Sequence, residues 1–252
     1  MRTSNPASVQ RGFGGAARNV AENLARLGVD VALCSAVGDD ETGRAILRHL
    51  DEIGCDARGV RLVEGAPTAQ YAAIIAPDGE LVAGASDAGA LDAIEPADVE
   101  KWTPLLEDAA WLVLDCNLPT QVLRTLIERR RCAPWRLAVN GTSIAKVQRL
   151  PQDLSAVDLL FVNEQEARAV GERGAQATAI SRGAGGVQVC VGEHRWDIPA
   201  PRVRLVVDVT GGGDALLAAT LRALIDGLTL DQATARAMEL AARTVQAPTA
   251  VP

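Results

Sequence analysis

The chain has 252 residues, 48% hydrophobic and 23% charged, which is length enough for one large α/β domain and a composition unlike that of disordered or membrane-embedded chains. Its 25 Lys and Arg against 32 Asp and Glu leave a formal net charge of −7, which excludes the broad basic surface that a nucleic-acid polymer requires. No apolar run approaches the ~20 residues of a membrane span and residues 1–12 lack the apolar core of a secretory signal, so no membrane partner and a cytoplasmic location are expected.

From the N-terminus, Ala16, Val20, Leu24 and Leu27 mark an apolar helical face that Gly28 ends, and a strand is expected over 29–37. A helix over 42–53 follows, and then a break in the rhythm. Residues 70–75 and 80–85 are two short strands joined across Pro77-Asp78-Gly79, a turn signal that predicts a hairpin. Further strands are expected over 111–116, 136–140, 158–162, 177–181 and 187–191, several of them apolar throughout, as buried parallel strands are. Helices are expected over 120–131, 164–170, 214–226 and 230–245. This alternation favours a layered α/β domain over 1–252 with a mostly parallel sheet and a small β lid at about 60–88. Arg129-Arg130-Arg131 falls at a helix end, where cations complement the helix dipole. The five cysteines, Cys34, Cys55, Cys116, Cys132 and Cys190, are widely spaced, and only His49 and His194 are present. Neither a disulfide framework nor a zinc site is expected, the cysteines read as buried apolar residues, and any metal should be oxygen-bound.

Four local patterns carry chemistry. Residues Asp208-Val209-Thr210-Gly211-Gly212-Gly213-Asp214 run from a strand end through three glycines to an acid and a helix. Glycines allow close backbone approach to an anion, and the free N–H groups of a helix start favour a phosphate there. A carboxylate beside such an anion hole suits a hydroxyl that must lose its proton while charge grows on a transferring phosphoryl group. A helix-capping Asp after a flexible turn explains the same residues. A Walker loop is absent. The second pattern is Gly14-Gly15-Ala16-Ala17-Arg18-Asn19; the overlapping Gly12-x-Gly14-x-x-Ala17 mimics a dinucleotide fingerprint but lacks the strand that should precede one. Third, Asn163-Glu164-Gln165-Glu166 follows an apolar strand: an amide and a carboxylate suited to a hydrated hard cation, or else a capping box. The fourth, Ser181-Arg182-Gly183-Ala184-Gly185-Gly186, reads alone as a hairpin turn. Gly141-x-Ser143-x-Ala145 only half matches a hydrolase nucleophile elbow.

Together and in this order, the patterns resemble the ribokinase-like (PfkB) carbohydrate kinases. The segment Asp208 to Asp214 is similar to that family's D-T-x-G-A-G-D signature, with Val209 in place of Thr and Gly212 in place of Ala. The resemblance implies a three-layer α/β/α fold, ATP as phosphoryl donor, Mg2+, and room for a monovalent cation. It implies Asp214 as the base with Gly211, Gly212 and Gly213 as the anion hole, and Gly14, Gly15 and Asn19 on the sugar. It likewise places Asn163 and Glu166 at the metal, largely through water, and Ser181, Gly183 and Gly186 along the nucleotide. Thr68 and Tyr71 of the lid are expected to close over the substrate, which excludes water from ATP. By the same analogy a homodimer forms through the lid.

Within the family, Ser4-Asn5-Pro6, residues 15–24 and Leu114-Asp115-Cys116-Asn117-Leu118-Pro119 are similar to pseudouridine kinases, which implies a small-molecule nucleoside as acceptor. Another sugar is the alternative acceptor. Family members normally carry a strand before the double glycine, ending in an acid that grips sugar hydroxyls; it is expected to be missing here, leaving backbone edges open. A nucleoside-binding protein without useful turnover is the rival of a different class.

Overall fold

The computed structural model describes residues 8–76, 81–203, 211–246 and 251. In chain order the elements are α1 (Ala16–Arg26), β1 (Ala32–Gly38), α2 (Glu41–Glu52), β2 (Asp56–Val63), β3 (Gln70–Ile75), β4 (Leu81–Asp87), α3 (Pro96–Glu107), β5 (Trp111–Asp115), α4 (Thr120–Arg130), β6 (Arg136–Asn140), α5 (Ile144–Val147), β7 (Leu159–Asn163), α6 (Glu164–Val170), β8 (Ala177–Ser181), β9 (Val187–Val191), β10 (His194–Ile198), α7 (Gly212–Ile225) and α8 (Leu230–Thr244). The expected turn at 77–79, the segment at 4–6 and Asp208, Val209 and Thr210 lie outside the described residues.

Six strands form one sheet in the order β10-β9-β8-β7-β6-β5. Its β5, β6, β7 and β8 run parallel, and β9 and β10 continue it antiparallel. Successive side chains along a strand face opposite sides of a sheet, and β7 shows why its sequence is apolar at nearly every position. Leu160 and Val162 join a core with α3 and α4, through Trp102, Leu106, Leu123 and Ile127. Leu159 and Phe161 join another with α1, α7 and α8, through Val20, Leu24, Leu217, Leu221 and Met238. Burying each such side chain contributes about 1.5–3 kcal/mol, so helices on both faces are what the buried strand sequences demand. The layers are α/β/α, as expected.

The remaining parallel pair, β1 with β2, is a separate two-stranded sheet. It packs under α1 and α2 through Ala21, Leu33, Leu50 and Cys55. Both β1 and β5 contact α1, yet among the described residues neither has a strand partner on its second edge. No described strand joins β1 to β5.

The hairpin is present: β3 and β4 pair antiparallel and form no ladder with either other sheet. Every residue of β3 is exposed. Several sequence-based expectations need correction. Helix α7 begins at Gly212, two residues earlier than expected, so Asp214 stands within its first turn. The elements β2, β10, α3 and α5 were not foreseen. Gly59 interrupts the pattern of β2, and Pro104 lies inside α3. Cys55 and Cys116 are buried and Cys34 and Cys190 half-buried, but Cys132 is exposed, and all five are free. The arginines ending α4 are each paired: Arg129 with Thr103, Arg130 with Asp158 and Arg131 with Asp153. No helix among the described residues is long and apolar enough to cross a membrane.

Candidate active site

The carboxyl ends of parallel strands are where open α/β sheets hold ligands, and here each of the four neighbouring strands ends in a polar residue. Asp115 closes β5, Asn140 closes β6, Asn163 closes β7 and Ser181 closes β8. Strand pairing sets Asp115 beside Asn140, and Asn163 beside Ser181. One end of the sheet therefore carries a row of donors and acceptors above an apolar core.

Asp214 reaches this row from the first turn of α7. The turn is entered by Gly211, whose φ of 80° is a left-handed conformation that favours glycine. Gly212 is buried, and a side chain there would press on Val245 beyond α8, whereas Gly213 is exposed with open space above it. Asn19 donates its side-chain amide to Asp214 Oδ2 at 2.8 Å, and Asn140 donates to Oδ1 at 3.0 Å. Burial pushes the carboxyl up to about 6; the two amide hydrogen bonds oppose that shift, and the negative charge of Asp115 adds to it. A carboxyl group set near neutrality, partly shielded, with amides on both oxygens, is equipped to accept a proton.

The helix that carries Asn19 is unusual in burying polar residues: Arg18, Asn19, Glu22 and Asn23 are all below a tenth exposed. They are satisfied from within. Arg18 donates to the backbone oxygens of Phe13 (2.7 Å) and Gly14 (2.9 Å), and to Glu22 and the Asn19 side-chain oxygen. Burial alone would raise the Glu22 carboxyl, but hydrogen bonds from Arg26, His49 and Arg18 outweigh it and hold the group below the usual carboxylate range. The helix start is closed by Asp115, whose Oδ2 accepts from the Ala17 backbone N–H at 3.0 Å. Asp115 also accepts the backbone N–H and side-chain amide of Asn117, whose oxygen in turn accepts from Lys146. Gly15, with φ 100° at the N-cap, allows the bend that sets the Phe13 and Gly14 carbonyls on Arg18 of α1.

Asn163 and Glu166 lie on the β7 side. They form a reciprocal capping box: the Asn163 side chain accepts from the Glu166 N–H, and Glu166 Oε2 accepts from the Asn163 N–H, both at 2.9 Å. Burial raises the Glu166 carboxyl above its ordinary range. Its Oε2 lies over Gly141, where a Cβ would come within 2.3 Å. Residues 140 and 141 thus touch Asp214 with one side and Glu166 with the other. Beyond them, the turn from Ser181 to Gly186 joins β8 to β9. A Cβ on Gly186 (φ 86°) would stand 2.0 Å from the Ile198 carbonyl oxygen, so glycine there serves the approach to β10; Gly183 needs only its positive φ of 54°.

Of the residues singled out from sequence, the structure brings Gly15, Asn19, Gly211, Gly212, Gly213 and Asp214 to one place, and Asn163, Glu166 and Ser181 to the neighbouring strand ends. Gly14 enters through its carbonyl on Arg18. Thr68 stands apart: it is buried, donates to Asp40 (2.7 Å) and accepts from the Gly38 N–H (3.0 Å), and so anchors the foot of the hairpin. Tyr71, 59% exposed, has its ring across the hairpin over Gly84. Asn140 and Lys146 escaped the sequence reading, which quoted Asp115 within residues 114–119 but gave it no role. The signal for Asn140 and Asp115 was a polar residue closing an apolar strand, as in Trp111-Leu112-Val113-Leu114-Asp115 and Leu137-Ala138-Val139-Asn140.

Comparison with known proteins decides the family. The profile described as pfkB family carbohydrate kinase matches residues 2–252. The chain belongs to the pfkB family of carbohydrate kinases. It is 27% identical over 243 residues to the pseudouridine kinase of Escherichia coli (strain K12), covering 89% of this chain and 77% of that one. Among solved structures, a carbohydrate kinase from Agrobacterium tumefaciens is similar with a TM-score of 0.83 and 30% identity, covering 99% of this chain and 85% of that one. Ribokinase from Thermotoga maritima, at 19% identity, shares the fold with a TM-score of 0.83 over 99% of this chain and 88% of that one. As a pfkB kinase this chain is a sugar or nucleoside phosphotransferase acting on a hydroxyl group, in a family that uses ATP.

Proposed function

We propose that this pfkB kinase transfers the γ-phosphoryl group of ATP to a ribose hydroxyl of a nucleoside, pseudouridine first among candidates, with Asp214 as the base. The observation that carries the reading is the Asp214 carboxylate at the first turn of α7, gripped by Asn19 and Asn140. In this reading the acceptor hydroxyl approaches Asp214 from the Gly14-Gly15 and Asn19 side and passes its proton to the carboxylate as its oxygen bonds to phosphorus. The N–H groups at Gly211 to Gly213 face the charge that develops on the phosphoryl oxygens. Donor nucleotide would extend along Asn163, Ser181 and the turn at Gly183 and Gly186.

No group of three His, Cys, Asp or Glu among the described residues could hold a metal ion. Mg2+, which would neutralise phosphate charge when bound, suits this site only through water and the nucleotide itself, with Asn163 and Glu166 in its outer shell. Tyr71, Ile74, Ile75 and Val82 are exposed on the hairpin, which supports a lid over the acceptor and a face for a second copy in a homodimer. The similarity to pseudouridine kinase favours that nucleoside; the carbohydrate kinase relative keeps a plain sugar as the second reading. Phosphate transfer from MgATP to pseudouridine, uridine, ribose and fructose, compared by kcat/KM, tests it. A preference of tenfold or more for pseudouridine is expected, and equal or better use of a free sugar would overturn the nucleoside assignment.

A further inference from the structure

We propose that Asn140 is a positioning residue for phosphoryl transfer: its side-chain amide holds the Asp214 carboxylate from the flank opposite Asn19, keeping it ionised and aimed at the acceptor hydroxyl. The inference rests on the reading of Asp214 as the base. Asn140 is the last residue of β6, a strand paired on both edges, and is 8% exposed. Its own carbonyl accepts the Cys116 N–H at 3.2 Å, so its backbone is tied as well. A side chain rooted this firmly can set the direction of what it binds.

Which atoms meet is fixed by chemistry rather than by the choice of amide orientation. An ionised carboxylate only accepts, so the atom of Asn140 facing Oδ1 is the nitrogen. On the other flank, Arg18 has donors alone, so Asn19 turns its oxygen toward Arg18 and its nitrogen toward Asp214. Two amides from two different elements therefore hold one oxygen each, and the carboxylate cannot rotate without breaking a hydrogen bond. Each oxygen keeps lone-pair capacity for an incoming hydroxyl.

The charged surroundings make the Asn140 contact consequential. Asp115 on β5 disfavours ionisation of Asp214, Arg18 on α1 favours it, and Glu166 on α6 lies beyond Gly141. At the turn itself the C-terminal segment after α8 presents Val245, which is apolar. Loss of either amide leaves burial and Asp115 less opposed.

The test is the pH profile of kcat/KM for the acceptor in the full chain, with Asn140→Leu, the isosteric Asn140→Asp and Asp214→Asn beside the native protein. Asn140→Leu removes the donor and should move the acid limb upward by about half a pH unit or more. Asn140→Asp sets two carboxyls about 3 Å apart, which resist joint ionisation, and should move it by at least about one unit. KM for ATP should stay within about twofold in both. Should Asn140→Leu fail to fold, Asn140→Asp, equal in size, decides alone. An acid limb unmoved in Asn140→Asp, whether or not the rate falls, overturns the positioning role. Native turnover in Asp214→Asn overturns the base assignment itself, and this inference with it.

Discussion

Asp214 carries the proposed chemistry, and its surroundings make definite predictions. Asp214→Asn leaves no base for the acceptor hydroxyl, so kcat should fall by about 10²–10⁴-fold while KM for ATP changes little. Steady-state kinetics with each substrate varied in turn checks this. The carboxyl must be ionised to act and is pushed up to about 6. Activity should therefore be full above about pH 7 and fall close to tenfold per unit below pH 6, whereas an ordinary aspartate would keep it down to about pH 4. A flat profile from pH 5 to 8 would contradict that shift. Asn19→Ala should raise the acceptor KM more than the ATP KM if Asn19 stands on the acceptor flank as proposed; equal effects would place it elsewhere. The place of Asp214 at a helix start was legible from the glycine run before it, because a turn that exposes helix N–H groups has a local signature; its role as base came from the family resemblance and is a proposal. Asn140 was not: its partner lies 74 residues away, and a strand-ending Asn says nothing locally about what it will meet.

At the scale of elements, α1 shows where sequence periodicity informs and where it misleads. Its apolar face was legible in Val20 and Leu24, but the burial of Arg18 and Glu22 was not, since charged residues normally mark a solvated face. They are buried because they satisfy each other and the glycine turn before the helix. The hairpin was legible from two short strands set on either side of Pro77-Asp78-Gly79, although Thr68 turned out to be its anchor. Asp40 caps α2 by accepting from the Gly43 N–H and also accepts from Thr68, and these bonds hold it below the usual carboxylate range. Thr68→Val strands the buried Gly38 N–H and removes one bond to Asp40. The expected cost is about 1–3 kcal/mol, read as a Tm lower by about 3–8 °C for a chain of this size. An unchanged Tm would show that the hairpin foot is held by other contacts. The helix α3 was hidden by its prolines, although Pro96 at the first helical position is where proline is favoured.

For the whole molecule, the layered architecture followed from strands such as β7 that are apolar on both faces and from helices between them. The outer edges of β1 and β5 are a different matter. Open backbone edges were expected from sequence, and among the described residues no strand pairs with the second edge of β1 or of β5, both of which contact α1. Strands with one unpaired edge expose amides that a central strand shields. Hydrogen exchange should therefore show average protection in β5 and β1 lower than in β6 and β7 by at least about tenfold; equal protection would mean that the edges are covered. The half-buried thiol of Cys34 and the buried thiol of Cys116, both pushed up to about 12 chiefly by desolvation, should stay unmodified by a thiol reagent that labels exposed Cys132.

The central claim is that this pfkB kinase deprotonates a nucleoside hydroxyl with Asp214. Its most direct test is formation of a phosphorylated nucleoside from MgATP and pseudouridine, followed by mass and phosphorus resonance, in the native chain and in Asp214→Asn. The account predicts a nucleoside monophosphate with the native chain and a loss of at least about a hundredfold in the variant. Equal product from both, or none from the native chain while it binds both substrates, would contradict it.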